Sequence, residues 1–279
     1  MEAQGRRSLL PILQPMPSTG AAPALVAPGP AAVPVAALPV LGIPVHPLPR
    51  ATALARCAAA IAGRGGGGPP LQVVTLNPEM VMAARRLPDL AQIIGRAGLV
   101  IPDGAGIAWA SRRLGRPVPE RIPGVELLDE LAARAVAANW RLFLLGSGPG
   151  VAAAAAAALE RSHPGLRVAG TAAGSPDGAE APALVAAVRA ARADLLAVAF
   201  GVPEQERWLA RHLAATGAGV GIGVGGSLDY LAGRVPRAPL RLRRHGLEWA
   251  YRLLRQPWRL PRMVRGSAFF WQVWRSRPR

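Results

Sequence analysis

Four short segments combine groups capable of chemistry with residues that keep the backbone accessible. Thr75-Leu76-Asn77-Pro78-Glu79 alternates a hydroxyl, an amide and a carboxylate. Successive side chains of an extended chain point to opposite faces, so Thr75 and Asn77 share one side. Pro102-Asp103-Gly104 places a carboxylate directly after an apolar run, where it could serve as a general base. Gly201-Val202-Pro203-Glu204-Gln205-Glu206 opens a helical stretch, and N–H groups at a helix start can hold phosphate. Gly223-Val224-Gly225-Gly226-Ser227-Leu228-Asp229 allows close backbone approach to a nucleotide or phosphate. Each segment also has a plain structural use. Asn77 before Pro78 suits a helix cap. Asp103-Gly104 suits a turn. Glu204 and Glu206 suit the first turn of a capped helix, and the last glycine run suits a tight strand-to-helix connection. A fifth segment, Gly146-Ser147-Gly148-Pro149-Gly150-Val151, departs from GxGxxG at Val151. No acidic residue ends a strand ~20 residues further on, so it suits a phosphate or turn loop better than a dinucleotide site.

These segments need elements to present them. Apolar runs of strand length alternate with helix-like sequence. Strands are expected at Leu71–Leu76, Leu99–Ile101, Arg141–Leu145, Leu166–Ala169, Asp194–Phe200 and Gly219–Val224, with a further short one at Pro39–Val45. Helices are expected at Thr52–Ala62, Pro78–Arg86, Val151–Arg161, Ala181–Ala193 and Glu204–Ala215. Short, wholly apolar strands alternating with helices predict an α/β fold with a parallel sheet covered by helices. Ligands of such sheets bind at the carboxyl ends of the strands, which is where the four segments fall.

Composition divides the chain in three. Residues 1–37 are rich in Ala and Pro and read as a disordered tail. Eleven prolines interrupt the uncharged stretch Ser8–Pro49, which argues against both a membrane span and a signal peptide. Residues 38–232 carry the alternating pattern. The final segment, 233–279, is a basic, aromatic appendage. It holds thirteen arginines and one acid, Glu248, so that +12 of the whole chain's +17 lies there. The chain has no lysine. The single Cys57 excludes an intrachain disulfide and any multi-cysteine zinc site, and the four scattered histidines have no ligand-like spacing. There is no GxxxxGK[ST], GxSxG, HExxH or Asp-x-Asp.

Taken together, the blocks TLNPEM (75–80), IPDGAGI (101–107), ERIPG (120–124), LFLLGSGPGV (142–151), FGVPEQERW (200–208), GVGGSLDYLAGRVPRAP (223–239) and GLEWAYRLLRQPWRLPRM (246–263) resemble the TagA/WecG/CpsF family of bacterial glycosyltransferases, glycosyltransferase family 26. The resemblance runs in the family's order over about Leu38 to Met263. It implies a Rossmann-like α/β core with a C-terminal helical appendage that completes the active site and touches the membrane. It implies inverting transfer of an N-acetylmannosamine-type sugar from UDP to a polyprenyl-pyrophosphate-linked sugar at the inner leaflet. No metal or other cofactor is expected, and the enzyme would be cytoplasmic and peripherally membrane-bound. Such enzymes build teichoic-acid linkage units, enterobacterial common antigen and capsular or exopolysaccharides. Carried over by motif, Asp103 is the expected base, with Thr75 and Asn77 beside it. Gln205 is expected in the donor pocket. The loops bearing Gly201, Gly225, Gly226, Ser227 and Asp229, together with Arg121, are expected at the substrate. Arg252, Arg259 and Arg262 match the appendage arginines. One departure is visible: the block after Arg121 usually reads Gly-x-Asp-Leu, and here it is Gly124-Val125-Glu126-Leu127. Homo-oligomerisation is left open.

Two other classes compete. The charge of +17 and the Arg/aromatic end would suit a nucleic-acid-binding protein, although the charge is confined to one end and no RNA-binding signature stands out. A nucleotide-dependent oxidoreductase would rest on Gly146–Gly150 alone.

Overall fold

A computed structural model describes residues 36–255, 257 and 260–276. Most of the expected N-terminal tail therefore lies outside the described residues. The described chain begins with a hairpin of β1 (Leu38–Val40) and β2 (Ile43–Val45). The sequence reading expected one strand here. The chain instead reverses at Leu41 and Gly42, both at positive φ, which is what a two-residue hairpin turn requires.

Helix α1 (Arg50–Gly63) leads to β3 (Leu71–Leu76), α2 (Pro78–Ala84), α3 (Pro88–Arg96) and β4 (Leu99–Pro102). Then come α4 (Ala105–Arg113), α5 (Gly124–Ala138), β5 (Arg141–Gly146), α6 (Val151–Ser162), β6 (Arg167–Ala172) and α7 (Ala181–Ala190). The core closes with β7 (Leu195–Ala199), α8 (Glu204–Thr216), β8 (Val220–Gly223) and α9 (Ser227–Leu231). Three helices follow: α10 (Leu240–Arg244), α11 (Glu248–Arg255) and α12 (Leu260–Arg275).

Strands β3 to β8 form one six-stranded sheet in the order β4-β3-β8-β7-β5-β6, with every neighbouring pair parallel. Strands β4, β7 and β8 are buried at every position, as a sheet covered on both faces demands. Helices α1, α5, α6 and α9 share one apolar cluster with the sheet. The opposite side is covered by α2, α3 and α4 with the hairpin, and by α7 and α8 further along. All carboxyl strand ends therefore open on one edge.

The C-terminal segment is not merely appended. Phe269 and Val273, one turn apart on α12, are fully buried in the cluster that contains α2 and α4. As part of an aromatic appendage, Phe269 would be expected beside Phe270, Trp271 and Trp274 at a lipid interface. Phe269 belongs instead to the core, because it faces inward while Trp271 and Trp274 remain 56% and 60% exposed. Helix α11 is described to Arg255 and α12 from Leu260, with Pro261 in its first turn.

Candidate active site

Strands β3 and β4 end side by side. Thr75 pairs with Ile101 and Leu76 with Pro102, and the Asp103 N–H continues the ladder by donating to the Leu76 carbonyl at 2.8 Å. Asn77 and Asp103 therefore leave the sheet as neighbours. Asn77 caps α2: its Oδ1 accepts the Met80 N–H at 2.9 Å, with Pro78 in the first turn. That fixes its amide at the rim. Asp103 is half-buried and is followed by Gly104 at φ 91°, a conformation that turns the chain straight into α4.

Thr75 is 5% exposed and donates its hydroxyl to the Gly223 carbonyl at 2.9 Å. The bond joins the end of β3 to the end of β8. Gly124, which opens α5, sits against Thr75 so closely that a Cβ there would lie 3.0 Å from the threonine methyl. The Ile122 N–H donates to Pro102 O at 2.9 Å, which lays the segment containing Arg121 along the end of β4.

The loops after β7 and β8 are tied together by Gln205. Its Oε1 accepts the Gly225 N–H at 2.9 Å and the Gly201 N–H at 3.2 Å. Its Nε2 donates to Glu206 Oε1 at 2.7 Å. Both residues are buried at the start of α8. Burial is the main reason that the Glu206 carboxyl is pushed up to about 8; its hydrogen bond from Gln205 acts in the other direction, and Glu204 nearby adds to the rise. Beyond Gly226, Ser227 donates its hydroxyl to Val224 O at 2.7 Å, which shapes the turn into α9. The Asp229 carbonyl accepts the Arg234 and Val235 N–H groups at 2.9 and 3.2 Å, which reverses the chain after α9. A cleft of about 500 Å³ opens between α2 and the loop after β7, lined by Glu79, Met82, Arg86, Phe200, Gly201 and Pro203 among others.

The base of the appendage crosses this edge and is held ionically. Glu126, in the first turn of α5, meets Arg237 Nη2 at 2.7 Å, Arg50 Nη2 at 3.2 Å and Arg243 Nη1 at 3.7 Å. Arg121 Nη2 donates to the Arg243 carbonyl at 3.2 Å. A Cβ on Gly246 would lie 2.7 Å from that of Ala105, so the chain passes directly over the start of α4, two residues beyond Asp103.

The structure thus gathers Thr75, Asn77, Asp103, Arg121, Gly201, Gln205, Gly225, Gly226 and Ser227 at one edge of the sheet. Arg259 and the side chains of Arg252 and Arg262 lie outside the described residues. Sequence reasoning gave no role to Glu126, Glu206, Arg237 or Arg243. Among these, the departure at Glu126 was the visible signal; nothing in the sequence marked Glu206 as turned inward. The Gly146 loop has a packing explanation. Gly146 stands at φ 101°, and a Cβ there would be 2.8 Å from the Ala199 carbonyl carbon. Among the described residues no group of three or more His, Cys, Asp or Glu side chains could hold a metal, and no helix is long and apolar enough to cross a membrane.

A parallel sheet with a carboxylate, an amide and two glycine loops at its carboxyl edge, roofed by an arginine-rich segment, has the build of an α/β group-transfer enzyme. The chain belongs to the glycosyl transferase WecG/TagA/CpsF family, whose pattern it matches over residues 38–279, and it is a glycosyltransferase. It is 35% identical over 203 residues to an N-acetylglucosaminyldiphosphoundecaprenol N-acetyl-beta-D-mannosaminyltransferase of Staphylococcus aureus strain MW2, covering 73% of this chain and 79% of that protein. The same figures hold for the enzyme of that description from strain NCTC 8325 / PS 47. Family membership sets aside the nucleic-acid-binding and oxidoreductase readings.

Proposed function

We propose that this protein moves an N-acetylmannosamine-type sugar from UDP to a polyprenyl-diphosphate-linked sugar, with inversion and without a divalent metal. The product would feed a cell-surface polysaccharide or teichoic-acid-type polymer. The observation that carries the reading is the placement of Asn77 and Asp103 directly after the paired ends of β3 and β4, in a chain similar to enzymes named as N-acetylglucosaminyldiphosphoundecaprenol N-acetyl-beta-D-mannosaminyltransferases.

Asp103 takes the proton of the acceptor hydroxyl as its oxygen attacks the anomeric carbon. The bond from that carbon to the diphosphate oxygen breaks, and the electron pair leaves with UDP. The glycine loops bearing Gly201, Gly225, Gly226 and Ser227, held by Gln205, receive the nucleotide, and Asp229 fixes the exit of the second loop. Arginines of the appendage, Arg252, Arg259 and Arg262 among them, compensate the growing diphosphate charge, with Arg121 anchoring the segment that brings them. Residues 233–279 complete the site and rest on the inner leaflet, where Trp271 and Trp274 suit the interface.

The test is UDP release from a panel of UDP-sugars with a short-chain prenyl-diphosphate-GlcNAc acceptor. Acceptor-dependent release from UDP-N-acetylmannosamine, unaffected by EDTA, is expected. Absence of release with every donor, or release abolished by EDTA and restored by Mg²⁺ or Mn²⁺, would overturn the donor assignment or the metal-free mechanism respectively.

A further inference from the structure

The Gln205 amide has only one orientation that satisfies its surroundings. Two backbone N–H groups, of Gly201 and Gly225, face one end, so that end must be the oxygen. The NH₂ end then points inward and needs an acceptor. Both side chains are buried, and the acceptor is Glu206 Oε1, 2.7 Å away. Glu206 is fully buried, and its Oε2 meets no partner among the described residues. The neighbouring cation, Arg207, does not serve it. Arg207 is engaged by Asp89 of α3 at 2.7 Å and Glu204 at 3.3 Å. From β3, Gln72 reaches the Glu206 backbone carbonyl rather than its carboxyl. Space for the pair exists because residue 223 is glycine. A Cβ there would lie 2.6 Å from Gln205 Nε2 and 2.8 Å from Glu206 Oε1.

We propose that Glu206 is a positioning residue for the donor pocket: its carboxyl oxygen sets the Gln205 amide, so that one oxygen clamps the loops after β7 and β8 at a fixed separation. A buried polar group without a partner costs free energy, so an acceptor at 206 is needed to keep the amide in this orientation. The inference rests on the reading that these loops receive the donor nucleotide.

The experiment compares Glu206→Leu with Glu206→Gln, which keeps an oxygen where Oε1 stands, and with Gly223→Ala, which crowds the pair and leaves residue 206 intact. Two readouts are taken on the full chain: steady-state kinetics, and backbone hydrogen exchange at Gly201 and Gly225 without substrate. Glu206→Leu and Gly223→Ala are expected to speed exchange at both glycines at least tenfold. They should also raise the donor KM at least tenfold, with the acceptor KM unchanged. Glu206→Gln should stay within threefold on both readouts. Unchanged exchange in Glu206→Leu, or Glu206→Gln as impaired as Glu206→Leu, would overturn the positioning role. Faster exchange in Glu206→Leu, alongside a wild-type chain that transfers no sugar from any donor, would uphold the clamp and refute the donor-pocket reading instead.

Discussion

The hydroxyl of Thr75 donates to the carbonyl of Gly223 at 2.9 Å, and this bond joins two strands that are distant in sequence at the point where both reach the site. Thr75→Val keeps the shape and leaves the Gly223 carbonyl without its donor. A loss of about 1–3 kcal/mol in unfolding free energy is expected. Thr75→Ser should recover most of it. Urea titrations of the two variants measure the difference. Equal stability of Thr75→Val and wild type would show that the bond contributes nothing.

Asp103→Asn retains size and hydrogen-bonding capacity but cannot accept a proton at neutral pH. Transfer is expected to fall by ~10²–10⁴-fold with donor affinity retained. Initial rates of UDP release, beside UDP binding by calorimetry, separate these effects. Activity within threefold of wild type would assign the base elsewhere.

Glu206 makes stability depend on pH in a defined direction. In the folded chain its carboxyl holds a proton up to about pH 8, chiefly because it is buried, against an ordinary value of 4.5. The native state therefore binds more protons than the unfolded state across that window. Its contribution is complete below the lower value, declines as pH rises by up to ~1.4 kcal/mol per unit, and levels off above the upper one. Glu206→Gln keeps Glu204, Asp89 and Arg207 in place, so the comparison isolates the carboxyl at 206. Denaturation at pH 5, 6.5 and 8 should show the variant gaining on wild type at each step. Parallel curves would mean that the carboxyl is not protonated in the fold.

Trp271 and Trp274 stack at 5.7 Å between ring centroids on the exposed side of α12. Replacing both with Ser should weaken binding to anionic liposomes at least fivefold and leave transfer to a soluble acceptor within twofold. Flotation assays read the first and UDP release the second. Unaltered flotation would place any membrane contact on other residues.

Cys57 is buried in α1, and its thiol is pushed up to about 12 by that burial. The nucleophile is the thiolate, so a disulfide reagent at pH 8 should fail to modify the native chain and should react within minutes in denaturant. Rapid labelling under native conditions would show that α1 opens readily.

The sheet was legible in the sequence because strands buried on both faces must be apolar throughout, as Leu195–Ala199 is. Asn77 and Asp103 could be found because polar residues ending such runs stand out. The hairpin was hidden: its turn uses Leu41 at φ 51°, a residue with no turn preference. Glu206 looked like an ordinary first-turn acid, because its inward rotation depends on a missing side chain at Gly223, seventeen positions later, and on a sheet that brings the two together. Phe269 was misplaced for a different reason. Residues 269 and 273 are one turn apart, and helical spacing could have separated them from Trp271 and Trp274, whereas composition grouped the aromatics together.

The burial of Phe269 and Val273 beneath α2 and α4 bears on how such enzymes can be recombined. An exchange of C-terminal segments between relatives would transplant half of an apolar interface and leave its other half behind. A workable chimera must carry the matching surface, including Trp109, whose ring lies 5.3 Å from that of Phe270. The junction for such a graft is set by packing and not by the composition change at Gly233.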